Sequence, residues 1–254
     1  MCTVTFVPMG AMAVLTSSRD EHASRMPAEP PRLQRWGSSE VVAPTDAQKG
    51  GTWIAVKNTG DAMVLLNGGQ QPHTAGKTYR QSRGLVFMDI FKTDDPVLTF
   101  ETINLDDIEP FTLIVYCALR LFECRWDGVL RRVAECNANA AHIWSSVTLY
   151  DSNAREKRLS WFNEFLSRHP QPSPSNCFQF HQLGGKGDAA DGIFMQRPSG
   201  HRTVSITSAV VGSNNATMRY WSSNFQWFAA KSLTISTALF DLPQGVANQA
   251  AQLS

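Results

Sequence analysis

Apolar and polar side chains alternate from Cys2 to Val7, and a period of two predicts a β-strand. Pro8, Met9 and Gly10 carry turn chemistry, and Ala11 to Thr16 reads as the returning strand of a hairpin. From Arg19 to Gly51 the period disappears under Pro, Ser and charge, which predicts a long ordered loop over that hairpin. Alternation returns over Trp53 to Lys57 and Ala62 to Leu66, two strands joined at Asn58-Thr59-Gly60-Asp61. Between Ser82 and Lys92 the spacing changes to that of a helix, with Leu85, Val86, Met88, Ile90 and Phe91 crowding one side.

The middle third predicts a meander: Phe111 to Ala118, Leu119 to Arg125 and Val129 to Cys136 are β-rich, with turn signals such as Trp126-Asp127-Gly128. Asp151 to Arg168 predicts the clearest helix, capped by Asp151 and Ser152, with Leu159, Phe162, Phe165 and Leu166 as its apolar stripe. A shorter helix over Cys177 to Leu183 leads into a Gly-rich loop, Gly184 to Gly192. Strands return at Arg202 to Val211, Thr217 to Trp221 and Leu233 to Ala238. Hairpins at both ends with helices between them predict an α+β fold of two stacked antiparallel sheets covered by helices. One domain is expected over residues 1–242, with a loose tail over 243–254.

The chain has 254 residues, 43% hydrophobic and 18% charged, with a formal net charge of +1. That suits one sizeable core and leaves no basic footprint for nucleic acid or an anionic membrane surface. No run approaches the roughly 18 apolar residues of a membrane-spanning helix. The uncharged first eighteen residues lack the basic start of a signal peptide, and Pro8 and Gly10 interrupt them. Five cysteines, an odd number without a C-x-x-C pair, predict free thiols in a reducing compartment, hence a cytoplasmic location. Six histidines occur singly, without metal-ligand spacing, and Gly184-Gly185-Lys186-Gly187-Asp188 lacks the pattern of a phosphate loop. No cofactor or metal follows from these patterns.

Cys2 changes the picture. Removal of Met1 before so small a residue would leave Cys2 with a thiol and a free α-amine of pKa about 7.7–8.0. Such an amine is a base beside its own nucleophile. Taken alone, Cys2 also fits a small buried hydrophobe opening a strand. Four further motifs follow in order: Ser18-Arg19-Asp20-Glu21, Arg25 with Pro27, Gly50-Gly51-Thr52-Trp53, and Leu66-Asn67. Later come Ile193-Phe194-Met195 and Gly200-His201-Arg202-Thr203.

Together with Met1-Cys2-Thr3, these motifs resemble the NRDE family, also called the transport and Golgi organisation 2 family. That family in turn is similar to the N-terminal-nucleophile hydrolases that cleave bile-salt and penicillin V amides. The resemblance implies a four-layer αββα sandwich and an amide or related acyl bond in a small molecule as substrate. It implies Cys2 as nucleophile, Arg19 beside its thiolate, Asp20 holding the α-amine, Asn67 as oxyanion donor and Arg202 as a second cation. Two positions depart from the pattern: Ser18 stands where the family has Asn, and Ser145-Ser146 where the hydrolases carry a second Asn. The same resemblance implies an alternative of another class, a non-catalytic carrier of haem or an acyl lipid. There the Cys2 region is a binding pocket and haem the one candidate cofactor.

Overall fold

The computed structural model describes residues 3–73, 78–223 and 227–236. β1 (Thr3–Met9) turns at Gly10 into β2 (Met12–His22), and β3 (Glu29–Trp36) and β4 (Ser39–Thr45) form the next hairpin. β5 (Ile54–Lys57) and β6 (Ala62–Asn67) precede α1 (Arg83–Phe91) and α2 (Pro96–Thr102). The meander is β7 (Phe111–Cys117), β8 (Arg120–Trp126) and β9 (Arg131–Cys136), followed by β10 (His142–Ser145). α3 (Ser152–Arg168) and α4 (Pro174–Leu183) lead to β11 (His201–Val211), β12 (Asn215–Ser222) and β13 (Trp227–Thr234).

Among the described residues these strands make two antiparallel sheets, ordered β10-β1-β2-β11-β12-β13 and β3-β4-β5-β6-β7-β8-β9. Their inner faces meet in one core: Val4, Phe6, Leu15 and Ala209 of the first sheet lie against Val64, Ile114 and Tyr116 of the second. Phe6 and Tyr116 bridge the gap with ring centroids 5.5 Å apart. Phe87 and Phe91 of α1 and Phe100 of α2 cover the outer face of the second sheet. Phe162 and Phe165 of α3 and Phe180 of α4 cover the outer face of the first, over Val7 and Val14. The result is a four-layer αββα sandwich. Each helix starts on a side chain that accepts the N–H of its third residue, one of the free donors of the first turn: Ser82, Asp95, Asp151 and Ser173 accept from Leu85, Leu98, Ala154 and Asn176.

Several expectations need correction. The segment from Arg19 to Gly51 is no loop: β2 runs on to His22, and β3 and β4 add a hairpin. β3 accommodates Pro30 and Pro31 because it is an edge strand whose register slips between Glu29 and Arg32, so no ladder bond is lost there. Leu159 does not belong to the buried stripe of α3 and is 48% exposed; the buried positions are Ala154, Arg158, Phe162 and Phe165. A fully buried arginine inside that stripe defeats a reading by polarity. Between β7 and β8 the chain turns at Ala118 and Leu119, both in the left-handed region (φ 48° and 61°), a two-residue turn without the usual Gly or Asn. β13 begins at Trp227 rather than Leu233, and the expected strand end at 237–238 and the tail over 243–254 lie outside the described residues. α2 and β10 carry no clear signal in the sequence.

Candidate active site

The second half of β2 is polar yet buried: Thr16, Ser17, Ser18, Arg19 and Asp20 are all at most 3% exposed. These residues hold strand geometry because β1 pairs on one side (Thr3 opposite Ser18) and β11 on the other (Ser205 opposite Arg19, Thr203 opposite Asp20). Alternation along the strand then divides the chemistry between two faces. Ser18 and Asp20 face the layer of α3 and α4, while Arg19 and Glu21 face the second sheet.

On the inner face, the Arg19 guanidinium lies over the Trp53 ring, 5.0 Å from its centroid, and Nη2 donates to Asp46 Oδ2 at 2.9 Å. Arg25 Nη2 donates to the same oxygen at 2.8 Å, and Glu21 lies 3.7 Å from Arg19 and 3.3 Å from Arg25. Burial alone would raise the Asp46 carboxyl; Arg25, Arg19 and the Lys49 N–H outweigh it and hold it below the usual carboxylate range. The charges form a network of four, so loss of Asp46 would leave the buried Arg19 guanidinium with only its longer contact to Glu21. In the Gly-Gly-Thr-Trp motif Gly50 takes the left-handed turn (φ 69°), while Gly51 serves contact: a Cβ there would stand 2.6 Å from the Gly84 carbonyl carbon, at the start of α1.

On the outer face, Asp20 accepts hydrogen bonds from Tyr150 Oη (2.7 Å) and Thr203 Oγ1 (2.5 Å), and Thr203 in turn accepts the Met195 N–H (3.0 Å). Arg158 of α3 stacks on the Tyr150 ring at 3.4 Å, donates to the carbonyls of Asp191 (2.9 Å) and Gly192 (2.6 Å), and bonds Thr3 Oγ1. Beside it His181 lies between Thr5 Oγ1 (2.9 Å) and Ser18 Oγ (2.8 Å). Burial, aided by Arg158, pushes the imidazole down to about 3, so it is neutral at physiological pH.

Asn67 ends β6 where the chain must turn. Gly68 has φ 86°, and a Cβ there would meet Val147 Cγ2 at 2.7 Å, so the 146–148 segment packs directly on the turn. Ser146 Oγ donates to the Asn67 carbonyl at 2.7 Å and pairs with Thr148 Oγ1 at 2.8 Å. The Ser146 hydroxyl is thus committed to the backbone. The Asn67 side-chain amide makes no hydrogen bond among the described residues. It lines two cavities. One, about 550 Å³, is walled by Arg19, Glu21, Arg25, Asp46, Trp53 and Arg83; the other, about 340 Å³, lies toward Trp144, Ser146 and Leu159.

Of the residues singled out in sequence, Arg19 and Asn67 share the larger cavity, and Asp20 sits on the opposite face of β2. Arg202 is half-buried on β11 opposite Glu21 and does not line either cavity. Cys2 lies outside the described residues; β1 opens at Thr3, opposite Ser18 and Ser145. The described thiols are not activated: burial pushes Cys117 and Cys177 up to about 12, and raises Cys124 and Cys136 as well. Among the described residues no group of three His, Cys, Asp or Glu could hold a metal, and no helix is long and apolar enough to cross a membrane. Pattern reading missed Asp46, Tyr150, Arg158 and Thr203. Only Asp46, at the head of a Gly-terminated turn, left a local signal.

The sequence model of the family described as Transport and Golgi organisation 2 matches residues 1–156. The chain belongs to this family. The search of curated protein sequences returned no match. Among solved structures, this member is similar to a cysteine-to-alanine mutant of the conjugated bile acid hydrolase from Clostridium perfringens. The TM-score is 0.58 at 8% identity, over 93% of this chain and 97% of that one. It is also similar to the Caenorhabditis elegans ortholog of N-acylethanolamine-hydrolyzing acid amidase, with TM-score 0.58 at 10% identity, over 82% and 92% of the two chains. An arginine-to-leucine variant of the same bile acid hydrolase gives 0.52 at 8% identity over 92% and 97%. At such identity the likeness establishes the fold, that of the N-terminal-nucleophile hydrolases.

Proposed function

We propose that this Transport and Golgi organisation 2 family member is a cysteine hydrolase of a C–N amide or related acyl bond, with Cys2 as nucleophile after Met1 is removed. The observation that carries the reading is the pairing of a buried Arg19 guanidinium with an uncommitted Asn67 amide on one cavity wall. Cys2 is one Cα step, about 3.8 Å, from Thr3. Thr3 is itself opposite the residues preceding Arg19 and Ser146. Each role follows from chemistry. Arg19 favours the thiolate. The α-amine takes the thiol proton, and Asp20, held by Tyr150 and Thr203, orients it. The thiolate attacks the carbonyl carbon, and the Asn67 amide donates to the developing oxyanion. The amine leaves with a proton, and water cleaves the thioester to release the acid. Arg202, opposite Glu21, would add a second cation for substrate. The relatives in fold are named for hydrolysing conjugated bile acid and N-acylethanolamine amides, and this supports an amide of a small molecule as the substrate class.

Cys2→Ala and Asn67→Ala test the reading on a panel of N-acyl amines. Cys2→Ala should abolish turnover, and loss of one oxyanion donor should cost about 10²–10³ in kcat. Equal turnover by wild type and Cys2→Ala sinks the proposal. One observation favours the alternative, a carrier of haem or an acyl lipid. Ser146 spends its hydroxyl on the Asn67 carbonyl and so replaces no second oxyanion donor. A Soret shift on haem titration, with no amide turned over, would mark that case.

A further inference from the structure

Arg19 is not a free cation. Its guanidinium meets two carboxylates, Asp46 at 2.9 Å and Glu21 at 3.7 Å, and shares Asp46 with Arg25. Asp46 in turn is fixed by its own loop. Oδ1 accepts the N–H groups of Gln48 and Lys49 at 3.0 Å each, the Asp46 N–H donates to the Gly51 carbonyl, and Gly50 N–H returns to the Asp46 carbonyl, both at 2.8 Å. The carboxylate is therefore placed by backbone, whether or not an arginine sits beside it. A charge so held offsets part of the guanidinium's field at any neighbouring group.

We propose that Asp46 is a positioning residue that screens Arg19 and so sets how strongly a thiolate at Cys2 is favoured. This rests on the reading of Cys2 as a nucleophile beside Arg19. The site is thereby tuned to a moderate nucleophile: a thiol of lower pKa is more ionised but intrinsically less nucleophilic. The charged groups around this end of β1 are Arg19, Asp20 and Glu21 of β2, Arg25 after it, and Asp46 and Lys49 of the β4–β5 loop. Arg83 with Glu109 form the far wall, Arg202 lies on β11, Arg158 reaches in from α3, and Arg125, Arg155 and Glu156 line the adjoining cavity at Ser145 and Ser146. Of the carboxylates, Asp46 alone bonds Arg19 within 3 Å in the described residues.

The test is the pH profile of iodoacetamide labelling at Cys2, read by mass spectrometry on the N-terminal tryptic peptide of the full chain. Asp46→Asn keeps shape and acceptor but removes the charge. It should move the midpoint down by about half to one pKa unit, so that at pH 6 the thiolate fraction rises about three- to tenfold and labelling about two- to fourfold, the new thiolate being intrinsically less nucleophilic. Glu21→Gln should do the same to a smaller extent, and serves if Asp46→Asn fails to fold. Asp46→Glu should restore the wild-type profile. An unchanged or raised midpoint in folded Asp46→Asn overturns the proposal. Arg19→Met separates the two readings. If it raises the midpoint while Asp46→Asn leaves it alone, the screening fails and the nucleophile reading stands. If Arg19→Met changes nothing, activation by Arg19 fails first.

Discussion

His181 shows how a single residue reports its surroundings. The imidazole is fully buried against Thr5 and Ser18, and burial with the Arg158 charge holds it neutral down to about pH 3. Its folded pKa lies below the unfolded value of about 6.5. The stability it contributes is therefore complete above pH 6.5 and is lost progressively as pH falls toward 3. Between those limits this group alone should weaken the fold by about 1 kcal/mol per pH unit. Urea unfolding of wild type and His181→Asn at pH 7.5 and pH 5 checks this, since other titrating groups are common to both. Equal slopes with pH in the two proteins would contradict the burial argument. Arg158 teaches the complementary lesson: its place in the buried stripe of α3 follows from two carbonyls, a hydroxyl and a Tyr150 ring contributed by other segments.

At the scale of elements, the turn after β6 places Asn67 more firmly than any side-chain bond does. Gly68 has both a left-handed backbone and no room for a methyl group, with Val147 and Thr148 side chains under 3 Å from its ideal Cβ. Gly68→Ala should cost about 2–4 kcal/mol, from left-handed strain and over-packing together. Because the 146–148 segment must retreat, the bond from Ser146 to the Asn67 carbonyl should lengthen. Urea midpoints give the first quantity, and a structure of the variant gives the second. The hairpins at β1–β2 and β5–β6, and α1 between its Ser82 and Lys92 caps, were legible from periodicity and turn chemistry. β3 was not, because Pro30 and Pro31 argue against a strand unless one knows that it is an edge with a slipped register.

At the scale of the molecule, the two sheets depend on contacts such as Phe6 with Tyr116, which join β1 to β7 across the sandwich. Phe6→Ala should cost about 3–5 kcal/mol. Since β1 carries the start of the chain, the variant should also change the iodoacetamide profile of Cys2, whereas a cavity confined to the α3–α4 layer, as in Phe165→Ala, should leave it alone. By itself the sequence determined which segments alternate and which turn, where helices begin, and the order of Met-Cys, Arg-Asp, Gly-Gly-Thr-Trp and Asn motifs that mark the family. Those are local properties, set by backbone propensity, side-chain period and the identity of neighbours a few residues away. Only the tertiary structure decided that Arg19 and Asp20 serve opposite faces of one strand. The same holds for Asp46 and Glu21 as Arg19's partners, and for Ser146 spending its hydroxyl on Asn67. These contacts join residues 27 to 130 positions apart, apart from Glu21. A buried charge or hydroxyl takes whatever partner the packed strands bring to it, and that choice is not written in the residues beside it.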